Sequence, residues 1–289
     1  MSTKIPNWKH IATGKVRELY VPEFDHPQGD VVLVVASDRI SAFDYILDSE
    51  IPGKGAVLTQ MSVFWFDLIR EKLRFPTHFI SATDVPDEVA GRAMLCKRLD
   101  MFEIECVARG YLTGSAFEEY KATGKYQEFD LPAGLEDMSK FNIPLFTPAA
   151  KAAVGDHDEN IMFSKVVELI GADAANALRS ATLEIFKLAQ NQAAKAGLTL
   201  VDTKFEFGVD LKTSAITLGD EVLTPDSSRY LNATGASLDK QYVRNWLLNE
   251  SGWDKKSGQK PPKLPSEVVE KTAQLYQEAL VKLINTKEK

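Results

Sequence analysis

A chain of 289 residues, 44% hydrophobic and 26% charged, has the composition of an ordinary folded protein, large enough for one big domain or two lobes around a shared cleft. A net charge of -7 argues against a general nucleic-acid surface, and no apolar run is long enough to predict a membrane-spanning helix. The start, MSTKIPNWKH, lacks the apolar core of a secretory signal; Cys96 and Cys106 make no disulfide scaffold, and His10, His26, His78 and His157 have no zinc-site spacing. A reduced cytoplasmic setting without a transition metal is the expectation.

The first third reads as β-rich. Val31 to Val35 is a fully apolar strand candidate after the turn residues Pro27 to Asp30. A helix is predicted from about Thr59, because Leu58, Met61, Trp65, Leu68 and Ile69 recur at helical spacing. A second β region, Met94 to Ala108, carries both cysteines. Ser115 and Glu118 have the form of a capping box opening a helix that fades by Gly124. Residues 125 to 160, with Pro132, Gly134, Pro144, Pro148 and Gly155, read as a long irregular segment of the kind that is functional or mobile. Helical patterning resumes after Ser164, pauses at Gly171, restarts with Asp173 as N-cap and stops at Gly197. Two strands follow over 198 to 223, and a last amphipathic helix follows Ser266. Strands then helices suggest α+β architecture.

The stretch Leu200 to Gly208, continued by Ile216 to Val222, says most about chemistry. On a strand Asp202, Lys204 and Glu206 share one face while Phe205 and Phe207 share the other. A hairpin turning about Thr213 puts Glu206 opposite Asp220. Two carboxylates facing each other oppose folding unless neutralised, and magnesium with a nucleotide phosphate would neutralise them, with Lys204 beside it. A solvated polar face suits the same spacing, because hairpin register can slip.

Four shorter segments offer anion or cleft chemistry, each with a plainer alternative. Gly14-Lys15-Val16-Arg17 combines a glycine with alternating cations, or is a surface turn. Arg109 with Gly114-Ser115 precedes a helix N-terminus, an anion site unless Ser115 only caps its helix. In Thr224 to Arg229, Ser227 and Arg229 could grip a phosphate and Asp226 a hydroxyl or amine, or the segment is a Pro-Asp turn. Ser37 to Asp44 leaves a buried strand either to line a cleft or to make a turn. The loop Gly155 to Asn160 is densely acidic, which also suits a solvated connection. No Ser-His-Asp ordering or reactive-cysteine setting stands out.

Taken in order, GKVREL, SDRISAFD, ECVARGYLTGSA, FTPAAKAAVGDHDENI, LVDTKFEFG and GDEVLTPDSSR closely resemble the phosphoribosylaminoimidazole-succinocarboxamide synthase (SAICAR synthetase) family, nearer its longer yeast-type form, over nearly the whole chain. The resemblance implies an α+β, two-lobed fold, distantly similar to protein kinases and ATP-grasp enzymes, with ATP in the cleft. Its antiparallel β-rich N-terminal lobe would span 1–102. A mixed α/β lobe would span 103–289, helical from about 240. The implied activity condenses carboxyaminoimidazole ribonucleotide with L-aspartate, releasing ADP and phosphate.

By the same resemblance Gly14, Lys15, Val16 and Arg17 cover the ATP phosphates, and Lys97, Met101 and Glu103 line the adenine hinge. Lys204 meets the phosphates, and Glu206 and Asp220 hold magnesium. Arg109, Ser115 and Arg229 hold the ribotide phosphate, with Asp202 and Asp226 near the imidazole and ribose; Ser227, from the residue reading, joins the substrate-binding candidates. Asp38, Ser41, Asp44, Asp158 and Asn160 lie beside the reacting carboxylate and the aspartate, Asp38 joining Lys204 and Asp202 as catalytic candidates. Tyr230-Leu231 departs from the family's aromatic pair. Small-molecule substrates, no nucleic acid, no membrane and a monomer complete the expectation. A small-molecule kinase and a regulatory nucleotide-binding module are the competing readings.

Overall fold

The computed structural model describes residues 3–151 and 159–288. Its first part runs β1 (Trp8–Thr13), β2 (Arg17–Pro22), β3 (Val31–Ala36), β4 (Arg39–Ala42), β5 (Tyr45–Glu50), α1 (Lys54–Leu73), β6 (Phe79–Ser81) and β7 (Ala93–Lys97). Strands β1, β2, β3, β7 and β6 form an antiparallel sheet in that order, and β4 and β5 form a separate hairpin. The apolar Val31 to Val35 run is central strand β3, as its composition predicts.

The second part begins with β8 (Asp100–Met101), β9 (Ile104–Leu112), α2 (Ser115–Thr123), β10 (Lys125–Tyr126) and β11 (Phe129–Asp130). It continues with β12 (Ser139–Phe146), β13 (Ala149–Ala150), β14 (Glu159–Asn160), α3 (Phe163–Ile170) and α4 (Ala172–Lys195). Then come β15 (Thr199–Asp210), β16 (Ala215–Gly219), β17 (Ser228–Leu231), α5 (Gln241–Asn249) and α6 (Ser266–Ile284). A second sheet is built around β9 and β15, which pair with each other and with all its shorter strands except β14, which pairs with β13. Helix α4 covers its apolar face, and α1 packs against both β3 and α6. Among the described residues no helix is long and apolar enough to cross a membrane.

Backbone hydrogen bonds stitch the two sheets at residues 76 to 78. Residues 76 to 78 add alongside β16: the Leu218 amide donates to the Pro76 carbonyl at 3.0 Å and the His78 amide to the Leu218 carbonyl at 2.9 Å. The His78 carbonyl accepts from the Lys97 amide of the first sheet at 2.7 Å. Burial pulls the His78 imidazole down to about 4, and its Nε2 donates to the Asp220 carbonyl at 3.1 Å.

Several boundaries differ from the sequence reading. Helix α1 starts at Lys54, not near Thr59, because Asp38, distant in sequence, accepts from the amides of Gly53 (3.0 Å) and Gly55 (2.9 Å) and caps it. The Ser115–Glu118 capping box does not form. The chain enters α2 through Gly114 at φ 60, which leaves Ser115 as the first helical residue with no side-chain cap bond. Asp173 lies in the first turn of α4 behind Gly171, favouring the helix dipole instead of capping it. Residues 125 to 160 are not simply irregular: β12 pairs with β9 through a bulge, and β13 bridges β9 and β14. Those pairings are long-range, so no local periodicity announces them.

Phe205 and Phe207, both fully buried, anchor the second sheet in the main core with Phe186, Ile185 and Leu218. Phe205→Ala should cost about 3–5 kcal/mol of stability, through lost transfer energy and the cavity left behind. Urea denaturation reads this as a lower midpoint with an unchanged slope.

Candidate active site

One face of β15 carries the chemistry. Asp202 lies opposite Arg109 of β9 on one side and Arg229 of β17 on the other, so the three residues form a row across adjacent strands. Arg109 Nη1 donates to Asp202 Oδ2 at 2.9 Å, and Arg229 Nε donates to both carboxylate oxygens at 2.8 and 3.0 Å. Burial pushes the Asp202 carboxyl up, but Arg229 and then Arg109 outweigh it and hold it below the usual range. Asp202 therefore fixes two cations while itself lining the cavity. Arg109, Arg229, Ser115 and Asp202 all line a cavity of about 840 Å³. A Cβ on Gly114 would come within 3.0 Å of Arg229 Nη1, so glycine is what lets the helix start reach this arginine.

Two residues further along, Lys204 bonds Glu105 of β9 and lies 3.8 Å from Glu206, while Lys151 Nζ meets Glu206 Oε2 at 2.5 Å. The predicted opposition of Glu206 and Asp220 is off by one. Residues 211 to 214 make a four-residue turn, so Glu206 pairs with Gly219 and Asp220 falls just beyond the strand. Asp220 then adopts φ 53, leaving the strand geometry, and its carboxylate accepts from Arg17 Nη2 at 2.7 Å. Arg17 also pairs with Glu221 at 2.6 Å.

The carboxylates still share one electrostatic neighbourhood. Burial first, then repulsion by Glu206 and Glu221, lifts Asp220 to about 7 against the pull of Arg17. Glu206 is driven up by burial but held low by Lys204 and Lys151. Among the described residues no group of three or more acids, histidines or cysteines is arranged as a complete metal cage. Two carboxylates crowded beside cations nevertheless fit magnesium, which keeps most of its waters and shares phosphate oxygens with few protein ligands.

At the other end of the cavity, Asp226 accepts from Tyr276 at 2.7 Å and pairs with the fully buried Lys54 at 2.7 Å. Asp226 keeps these two protein partners and also lines the cavity. Ser227 Oγ accepts from the Thr224 amide at 3.1 Å, so the Pro-Asp turn is real while its residues also line the cavity. Ser41 and Asp44 line the cavity too, and Asp44 meets Lys15 at 2.7 Å. Asp38 does not line it; its carboxylate serves α1.

Lys97, Met101 and Glu103 lie along the connection between the sheets and not on this cavity wall. Lys97 pairs with Asp210 at 2.8 Å, Met101 faces Gly208 across β8 and β15, and the Glu103 carbonyl accepts from the Lys151 amide. Asn160 of β14 pairs with Ala149 of β13 and is exposed, and Asp158 lies outside the described residues.

Sequence reasoning missed Lys54, Lys151, Glu221, Lys240, Arg244 and Tyr276, and it read Glu105 as the end of the hinge segment, not as the partner of Lys204. Only Lys240 and Arg244 left a local signal: four apart at the start of a helix, they share a face, and both line the cavity. The others reach the site through long-range contacts.

Residues 10–260 match the family model described as SAICAR synthetase. Over 290 residues the chain is 51% identical to the phosphoribosylaminoimidazole-succinocarboxamide synthase of Corynebacterium urealyticum, covering 96% of this chain and 94% of the relative. SAICAR synthase from Saccharomyces cerevisiae, solved in complex with SAICAR, superposes with a TM-score of 0.83 at 33% identity, over 99% of this chain and 98% of that one. A SAICAR synthetase solved in complex with ADP superposes with a TM-score of 0.71 at 26% identity, over 95% and 97% of the two chains.

The cavity has a pH-sensitive cation. Burial pulls Lys240 down to about 8; Asp226 opposes the shift, and Arg244 and Lys54 reinforce it. An anionic ligand favours the protonated amine, so affinity should hold below that value and fall once pH exceeds about 8, a limb that Lys240→Met removes. Calorimetric titration with a phosphorylated ribose ligand across that range measures it.

Proposed function

The chain belongs to the SAICAR synthetase family, and we propose that it is an ATP-dependent ligase of purine biosynthesis, joining L-aspartate to carboxyaminoimidazole ribonucleotide to give SAICAR, ADP and phosphate. The observation that carries this reading is a cavity with an arginine-rich end, Arg109 and Arg229 locked on Asp202, adjoining a strand face that carries Lys204 and Glu206. The yeast relative's complex with SAICAR and the other relative's complex with ADP support the two ligand classes.

A carboxylate is a poor electrophile. In the proposed reaction a carboxylate oxygen of the ribotide attacks the γ-phosphorus of ATP, and ADP leaves. The resulting acyl phosphate is attacked by the aspartate amine, which loses a proton as phosphate departs and the amide forms. Arg109, Ser115, Arg229, Lys240 and Arg244 would hold the ribotide's phosphate and ribose. Lys204, Lys151 and Arg17 would hold the charge that builds on the phosphoryl oxygens, each such contact lowering the barrier by about 2–4 kcal/mol. When bound at Glu206 and Asp220, magnesium would supply further neutralisation of that charge. Lys15, tied to Asp44, would join the phosphate loop to the aspartate end of the cavity.

No protein nucleophile is required, and the buried thiols of Cys96 and Cys106, both pushed up by burial, suit that. The boundary between lobes is proposed at 102/103, in the connection from β7 through β8 to β9. A monomer is proposed as the catalytic unit, from the likeness to the yeast-type form. Two buried free thiols support a reduced, cytoplasmic setting.

Multiple-turnover ADP release in the presence of ATP, magnesium and the ribotide should depend on aspartate. Multiple turnover without aspartate would make the protein a kinase, and no release with all substrates present a binding module. Glu206→Gln should lower kcat by roughly 10²-fold while retaining the circular dichroism spectrum and ribotide affinity; near-normal turnover refutes the metal assignment.

A further inference from the structure

The tripeptide Ser37-Asp38-Arg39 has a role that the ligand sites leave unexplained. Gly14 and Arg17 close the β1–β2 hairpin, with the Gly14 amide donating to the Arg17 carbonyl at 2.8 Å, so Lys15 and Val16 form a two-residue loop. Such loops favour turns with positive φ, which match the twist of the strands. Neither Lys15 nor Val16 has positive φ, so the loop is not of a self-supporting type.

Support comes from behind. Arg39 Nη2 donates to the carbonyls of Gly14 (3.1 Å) and Arg17 (3.4 Å), and its Nε donates to that of Lys15 (3.2 Å). The Val16 carbonyl accepts from the Ser37 amide at 3.0 Å and from its hydroxyl at 2.7 Å. Arg39 is itself held by Glu18 at 2.6 Å, a carboxylate only 5% exposed that also accepts from Thr13 at 2.6 Å and bonds His10. Every loop carbonyl from Gly14 to Arg17 thus has a donor, while among the described residues the amides of Lys15 and Val16 have no acceptor.

We propose that Arg39, seconded by Ser37, is a positioning residue for the phosphate loop: it draws the carbonyl oxygens to the rear so that the loop presents amides and cations, not oxygens, to the nucleotide. This rests on the reading of Gly14 to Arg17 as the loop over the ATP phosphates. A carbonyl facing a triphosphate repels it, whereas outward amides attract it.

The test uses the full chain, magnesium-ADP titrated calorimetrically, steady-state KM for each substrate, and hydrogen exchange of the peptide covering residues 13 to 18. Arg39→Ala should weaken ADP binding and raise KM for ATP by about tenfold or more, the loss of charged hydrogen bonds. KM for ribotide and aspartate should stay within about twofold, and exchange of the loop peptide should quicken. Arg39→Lys keeps the charge beside Glu18 but not the fork, and should recover only part of the affinity. Ser37→Ala, which removes one hydroxyl and decides the matter if Arg39→Ala does not fold, should cost ADP affinity about threefold. Nucleotide affinity within about twofold of the parent in the folded variants overturns the proposal, as does an equal rise in all three KM values. A parent protein that binds no ADP overturns the nucleotide reading and this proposal with it.

Discussion

A β-strand has two faces, and the site depends on what that imposes on β15. Its apolar face, with Phe205 and Phe207, is fully buried against α4 and the main core, which forces Asp202, Lys204 and Glu206 together on the opposite side. Sliding the strand by one residue would drive three charges into the core and turn two phenyl rings to water. The core therefore sets the register, and the register sets the chemistry. Arg109 and Arg229 stand opposite Asp202 because β9 and β17 take their alignment from this strand.

So many buried charges can persist only in compensated groups, since an unpaired buried ion costs several kcal/mol. Opposite signs alternate across the site: Arg109 and Arg229 flank Asp202, Lys204 bridges Glu105 and Glu206, Arg17 meets Asp220 and Glu221, and Lys54 meets Asp226. This arrangement does more than tolerate charge. Cations already oriented by their carboxylate partners need little reorganisation when a phosphate arrives, the condition under which electrostatic stabilisation is most effective.

The two sheets are not independent supports. Residues 76 to 78 hydrogen-bond to both, and His78, kept neutral by burial, reaches the carbonyl of Asp220 where the backbone turns out of β16. Asp38 and Arg39, adjacent in sequence, tie α1 and the glycine loop to the same short segment. Elements read in the sequence as cleft residues thus include some that hold the cleft in shape from outside it.

Local alternation and composition determined a good deal. The apolar run at Val31, the helical spacing from Leu58 to Ile69, and the opposed faces of Asp202–Lys204–Glu206 and Phe205–Phe207 follow from period alone, and the ordered motifs identified the family. Tertiary structure decided the rest. The cap on α1 comes from Asp38, 15 residues before Gly53; the partners of Asp226 come from α1 and α6; and Lys151 reaches Glu206 from just beyond β13. The hairpin register turned on whether the loop after Asp210 holds an odd or even number of residues, and the φ of Asp220 then re-aimed its side chain. Periodicity reports which face a residue occupies, because that is a property of the local backbone. Which distant charge meets it there is settled only when strands far apart in sequence align to bury a common core.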